Sequence, residues 1–209
     1  DETPGSASNP TDAKIQEAIN RLNTDFSANG PGNIGAYTPM KFTLAKRAPD
    51  CSATSGINRI SGSSVAGYNS DGISLPETNA PGANDTALLS LSKWSPRAYL
   101  NIWVVWKISA NAEGYYVGAY TAMPVTVDYD LHLFPDDGIV IIGSEVRGNS
   151  STLTHEAGHT MSLFHSFEGD HLGTAGCPLN SNPSAQGDYV ADTDPVRNLI
   201  FANPFPSNS

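Results

Sequence analysis

Residues 154–167 read THEAGHTMSLFHSF and bring histidines and a glutamate together in a short stretch of chain. His155 and His159 stand four apart. On a helix that spacing puts both imidazoles on one face, within reach of a single metal ion. Glu156 follows His155 and can face a water on that ion. Zinc lowers the pKa of a bound water to roughly 7. A carboxylate can then take the proton as the water attacks a peptide carbonyl. Such a site needs a third protein ligand, and His165 is the candidate. In an unbroken helix it would lie about 15 Å beyond His155 along the axis. The helix must therefore end between His159 and His165, and the chain must fold back. The expected site is zinc on His155, His159 and His165, with Glu156 as general base.

Other readings compete with this one. A site with an aspartate as third ligand would use Asp170 or a later aspartate, whereas Glu168 follows the motif too closely to serve. A catalytically impaired domain that only binds metal or a partner is a second alternative. No nucleophile elbow or Ser/His/Asp cluster is visible. His132 and His171 lack ligand spacing to the main cluster and read as structural or surface groups. Trp103 and Trp106 read as core or sheet-face residues, and Asp136-Asp137-Gly138 as a turn before a strand. Asp188, Asp192 and Asp194 read either as a solvated acidic loop or as part of a structural calcium site, since that ion takes several oxygens from irregular chain.

The elements that must position the site follow from periodicity. Thr11 or Asp12 can cap a helix on which Ile15, Ala18, Ile19, Leu22 and Phe26 share a face. Residues 29–32 (NGPG) stop it. Phe42 and Leu44 alternate with polar neighbours in residues 41–46, which predicts a half-buried strand. Residues 61–86 read as a long loop. Residues 100–108 (LNIWVVWKI) predict a strand covered on both faces, near the centre of a sheet. Residues 114–124 predict another strand, 138–142 (GIVII) a short buried one, and 150–161 a helix. The order gives an α/β (α+β) sandwich: a mixed sheet, a backing helix, an active-site helix and an irregular C-terminal part.

Composition sets the outer limits. A chain of 209 residues with 39% apolar residues suits one domain with a real core. No apolar run approaches the roughly 18 residues of a membrane span. A net charge of −10 argues against nucleic acid, which calls for a basic face. The two cysteines, Cys51 and Cys177, permit one disulfide and do not form a C-x-x-C pair.

The motif H-E-x-x-H followed by His165 resembles that of the metzincins. Leu163, His165 and Phe167 are similar to the pappalysin and cytophagalysin branch. So, in the same order, are residues 12–26 (DAKIQEAINRLNTDF), 42–45 (FTLA), 56–59 (GINR), 99–104 (YLNIWV), 153–159 (LTHEAGH) and 187–193 (GDYVADT). The resemblance implies a secreted zinc endopeptidase with its catalytic domain over residues 11–209, whereas residues 1–10, rich in Pro, Gly and Ser, read as a flexible leader. It implies a monomer acting on protein or peptide, without nucleic acid or membrane. It also implies calcium, for which Asp188, Asp192 and Asp194 are the candidates. Family members hold substrate extended along the sheet's edge strand. Residues 114–124 are the best edge, so a peptide is expected antiparallel to residues 115–122, with Tyr116, Gly118 and Tyr120 as contacts; a solvent-exposed loop is the equal alternative for this segment.

Three departures stand out. Ser162 replaces the family glycine, where a positive φ is expected. Metzincins carry a methionine turn after the third histidine, and here Met40, Met123 and Met161 all precede His165. A tyrosine accompanies that turn in this branch, whereas the downstream Tyr189 lies inside the GDYVADT match. Both absences lead us to expect a C-terminally truncated domain. Cys177 resembles a family cysteine whose partner lies further downstream, which leaves it free or paired with Cys51.

Overall fold

Helix α1 (Asp12–Phe26) begins where its cap residue directs. Thr11 is extended, and its side chain accepts the Lys14 N–H at 3.3 Å. The apolar stripe then buries Ala18, Ile19 and Leu22. The computed structural model describes residues 3–30, 36–76, 78–110, 116–123, 138–168, 181–182, 186–191 and 193–194. After α1 come the short helix α2 (Tyr68–Asp71), β1 (Ile73–Ser74), α3 (Asp85–Leu89), β2 (Asn101–Val105), β3 (Ile108–Ser109), β4 (Ala119–Thr121) and β5 (Gly138–Ile142). A 3-10 turn (Gly143–Glu145) leads on to helix α4 (Thr152–His159). The chain divides into two compact units, residues 1–161 and 162–209, and every one of these elements lies in the first.

The main sheet has the order β2-β5-β4, with β5 parallel to β2 and antiparallel to β4. β1 and β3 form a separate parallel pair. Every residue of β5 is buried, and the alternation of a strand divides its side chains between two cores. Ile139 and Ile141 join Ala18, Ile19 and Leu22 of α1 and Leu153 and Ala157 of α4. Val140 and Ile142 join Trp103 and Val105 of β2, Ile73, Ile108, and Leu88 and Leu89 of α3. Helix α4 is thus seated through Leu153 and Ala157 on the same core that anchors α1.

Three expectations are corrected. Residues 41–46 form no ladder, although Phe42 and Leu44 do pack half-buried on the α1 core. The Asn23 amide supplies the reason: it takes both main-chain groups of Phe42, donating to the carbonyl and accepting the N–H at 2.8 Å each. Residues 61–86 are not one loop, since α2, β1 and the start of α3 interrupt them. Among the described residues β5, not β2, is the central strand. A continuous apolar run reports covering on both faces and carries no information about order across the sheet. The residue 114–124 strand reduces, among the described residues, to β4 at one end of that order. Residues 3–10 are turned by hydrogen bonds, Gly5 N–H to the Asn9 carbonyl at 2.7 Å and Asn9 N–H to Ser6 Oγ at 3.1 Å. Arg59 draws in the entry to α1, bonding the Pro10 carbonyl at 2.9 Å and Asp12 at 2.6 Å.

Candidate metal centre

Helix α4 places the motif by burying one face and leaving the other outward. Leu153, Glu156 and Ala157 point inward, whereas His155 is exposed and His159 half-buried. The two imidazoles converge, with Nε2 atoms 3.1 Å apart and ring centres 4.6 Å apart at 86°. Two nitrogens bound to one zinc at 2.0–2.1 Å in tetrahedral geometry would lie about 3.3 Å apart. The pair therefore fits a zinc ion with little movement. Beside it Glu156 is only 7% exposed. That burial pushes its carboxyl up to about 7, near the range a general base needs at neutral pH.

Helix α4 ends at His159, before His165. Thr160 N–H bonds the Glu156 carbonyl and Met161 N–H the Gly158 carbonyl, each at 3.0 Å. Ser162 then takes φ +66°, the left-handed conformation expected at the family's glycine position. In the second unit the His165 ring stacks on Phe167, with centres 4.5 Å apart. Its Nδ1 lies 3.8 Å from a Glu168 oxygen. A carboxylate beside one ring nitrogen orients an imidazole to present the other to a metal. His155 and His159 lie in the first unit and His165 in the second.

Other candidates fare differently. Tyr116 is 69% exposed, and its hydroxyl donates to Glu145 at 2.9 Å. The Gly118 carbonyl accepts the Ile142 N–H at 2.9 Å, and the Tyr120 ring packs against the β2–β5 core. Asp188 is buried and accepts the Val190 N–H, whereas Asp194 is exposed. Asp192 lies outside the described residues, and calcium gains no support from the others. His132, His171, Asp136, Asp137, Asp170 and Cys177 also lie outside them. Cys51 is an exposed free thiol. Tyr189 is exposed, with its ring 5.0 Å from that of Phe164.

Sequence reading missed one support. Thr154, the residue before His155, donates from Oγ1 to Asp25 Oδ2 at 2.7 Å, and Asp25 is itself held by Arg21 at 2.8 Å. This bond ties the metal helix to the last turn of α1. Its partners are 129 residues apart, so no local pattern could have signalled it.

No family model matches the chain. It is similar to extracellular metalloprotease 1 of Coccidioides posadasii, at 34% identity over 137 residues, covering 62% of this chain and 43% of that protein. It is also similar to an extracellular metalloprotease of Colletotrichum graminicola, at 38% identity over 85 residues, covering 37% of this chain and 26% of that protein. The chain thus spans less than half the length of these relatives. Among solved structures, a promirolysin mutant of Tannerella forsythia matches with a TM-score of 0.55 and 26% identity, over 87% of this chain and 59% of that one. The chain is a relative of metalloproteases in sequence, and its mixed α/β fold is the metzincin-like one that the motif implies.

Proposed function

We propose that this chain is catalytic machinery of a secreted zinc endopeptidase of the metzincin class, on the pappalysin and cytophagalysin side. His155, His159 and His165 hold the zinc, and Glu156 is the general base. The observation that carries the proposal is the 3.1 Å convergence of two imidazoles beside a buried carboxylate, on a helix that ends before His165. The metalloprotease relatives support it, and their names support secretion. No helix of the described residues is long and apolar enough to cross a membrane.

When bound, zinc supplies a Lewis acid for the scissile carbonyl and an acidified water. The chain's own residues do the rest. Glu156 takes the proton of the attacking water and returns it to the leaving amine as the carbon–nitrogen bond breaks. Its burial keeps competing water away from the carboxylate and holds its proton affinity where both transfers can run near neutral pH. Thr154 and Asp25 hold the helix that carries these groups. An extended peptide pairs antiparallel with β4 and its flanks, residues 115–122, where main-chain bonds give affinity with little sequence demand.

Metal analysis on purified chain and on His165→Ala tests the ligand set. One zinc per chain is expected, with weakened retention in the variant. Equal zinc retention would remove His165 from the ligand set. Mapping cleavage sites on a denatured protein then tests the activity, and an uncut substrate with zinc bound would leave a metal-binding domain without peptidase function.

A further inference from the structure

We infer that Glu145 is a positioning residue for substrate, acting through Tyr116 to pin the approach to edge strand β4 onto the first turn of the metal helix. The inference rests on the proposed use of β4 as the substrate's edge. Glu145 closes the 3-10 turn after β5, and donors from separate segments converge on its carboxylate. Oε1 accepts the Tyr116 hydroxyl at 2.9 Å. Oε2 accepts the Ser150 hydroxyl at 2.6 Å and the Thr152 hydroxyl at 2.9 Å. The Arg147 guanidinium lies 3.5 Å from Oε1. The Ser150 bond, more than any other contact, holds this carboxyl below its ordinary range, so it stays ionised at working pH.

These donors sit at the lead-in to β4 (Tyr116), in the loop before α4 (Ser150) and on the first residue of α4 (Thr152). The chain between them is close-set. A Cβ on Gly118 would lie 3.4 Å from Glu145 Cγ and 3.8 Å from Thr152 Cγ2. On its other side Gly118 is bonded to β5 through Ile142. Residues 116–118 are therefore fixed between β5 and Glu145. The ring of Tyr116 is mostly in solvent and adds little to any core. Its hydroxyl bond is thus better explained by where it holds β4 than by stability. Because main-chain pairing with β4 would hold the peptide, loosening of β4 against α4 weakens that pairing and so substrate binding.

Steady-state kinetics on an extended fluorogenic peptide, with zinc-loaded Tyr116→Phe, Glu145→Gln and the double variant, provide the test. Each single variant is expected to raise KM roughly three- to tenfold, with kcat within about twofold and zinc content unchanged. The double variant should be no worse than Glu145→Gln alone, because the Tyr116 contribution passes through that carboxylate. A Tyr116→Phe KM equal to wild type, or effects that multiply in the double, would overturn the inference. Amide hydrogen exchange over residues 116–121 reads the pinning without substrate. Faster exchange in both variants is expected, and unchanged exchange would overturn the pinning. If wild type itself cleaves nothing while exchange accelerates, the peptidase reading fails, and the substrate role with it, but the Glu145–Tyr116 bond stands.

Discussion

Replacing Ser162 with glycine should stabilise this protein. Ser162 holds φ +66° in the turn that ends α4 and leads to His165. An L side chain in that region costs about 1–2 kcal/mol, because its Cβ crowds the following carbonyl. Glycine removes that cost but gives the unfolded chain more freedom, which returns about 0.4–1 kcal/mol. The net gain is on the order of 0.5–1 kcal/mol, or about 1–4 °C in Tm for a chain of this size. Ser162→Val, whose branched Cβ tolerates the conformation least, should lower Tm by more than glycine raises it. Met161→Gly is the control: Met161 is not among the residues with positive φ, so glycine there should only destabilise. Differential scanning calorimetry of the three variants, with and without zinc, reads the outcome. A lower Tm for Ser162→Gly than for wild type would refute the reasoning, since the left-handed turn would then cost nothing with serine.

Further outcomes follow from the same geometry. Thr154→Val leaves Asp25 without its 2.7 Å donor and should cost about 1–3 kcal/mol in urea unfolding, with Asp25→Asn costing at least as much because it also removes the charge paired with Arg21. Leu22→Ala, at a fully buried position beneath α4, should cost about 2–5 kcal/mol by the same assay. In metal-stripped protein Glu156 is raised to about 7 from 4.5, so between these values the folded state binds more protons than the unfolded one. Stability should then fall as pH rises through that window and level off above it, and Glu156→Gln should flatten the profile. A flat wild-type profile would show that the carboxyl is better solvated than its 7% exposure indicates.

The pairing of His155 with His159 was legible because its signal is local. The four-residue spacing of His155 and His159 becomes a 3.1 Å contact on α4, and the need for the helix to stop before His165 is met by the Ser162 turn. Helix α1 and buried β5 were likewise written in short-range patterns, a cap and a 3.6-residue stripe in one, a bounded apolar run in the other. What sequence missed depends on partners distant in the chain. Asn23 takes the main-chain bonds of Phe42 that a ladder would have used. The order β2-β5-β4 is set by which strands meet, and apolar content does not encode that. Asp25 and Glu145 carry no local signal of their partners, since the fold brings Thr154 to the first and Tyr116 to the second.

The account rests most directly on Glu156. The decisive measurement is mass-spectrometric detection of cleavage of a denatured protein by zinc-loaded wild type and by Glu156→Gln, with zinc content determined on the same samples. We expect one zinc per chain in both, cleavage by wild type, and none above background in the variant, because the group that takes the proton of the attacking water is gone. Turnover by Glu156→Gln at the wild-type rate would contradict the account, because hydrolysis would then run without the buried carboxylate.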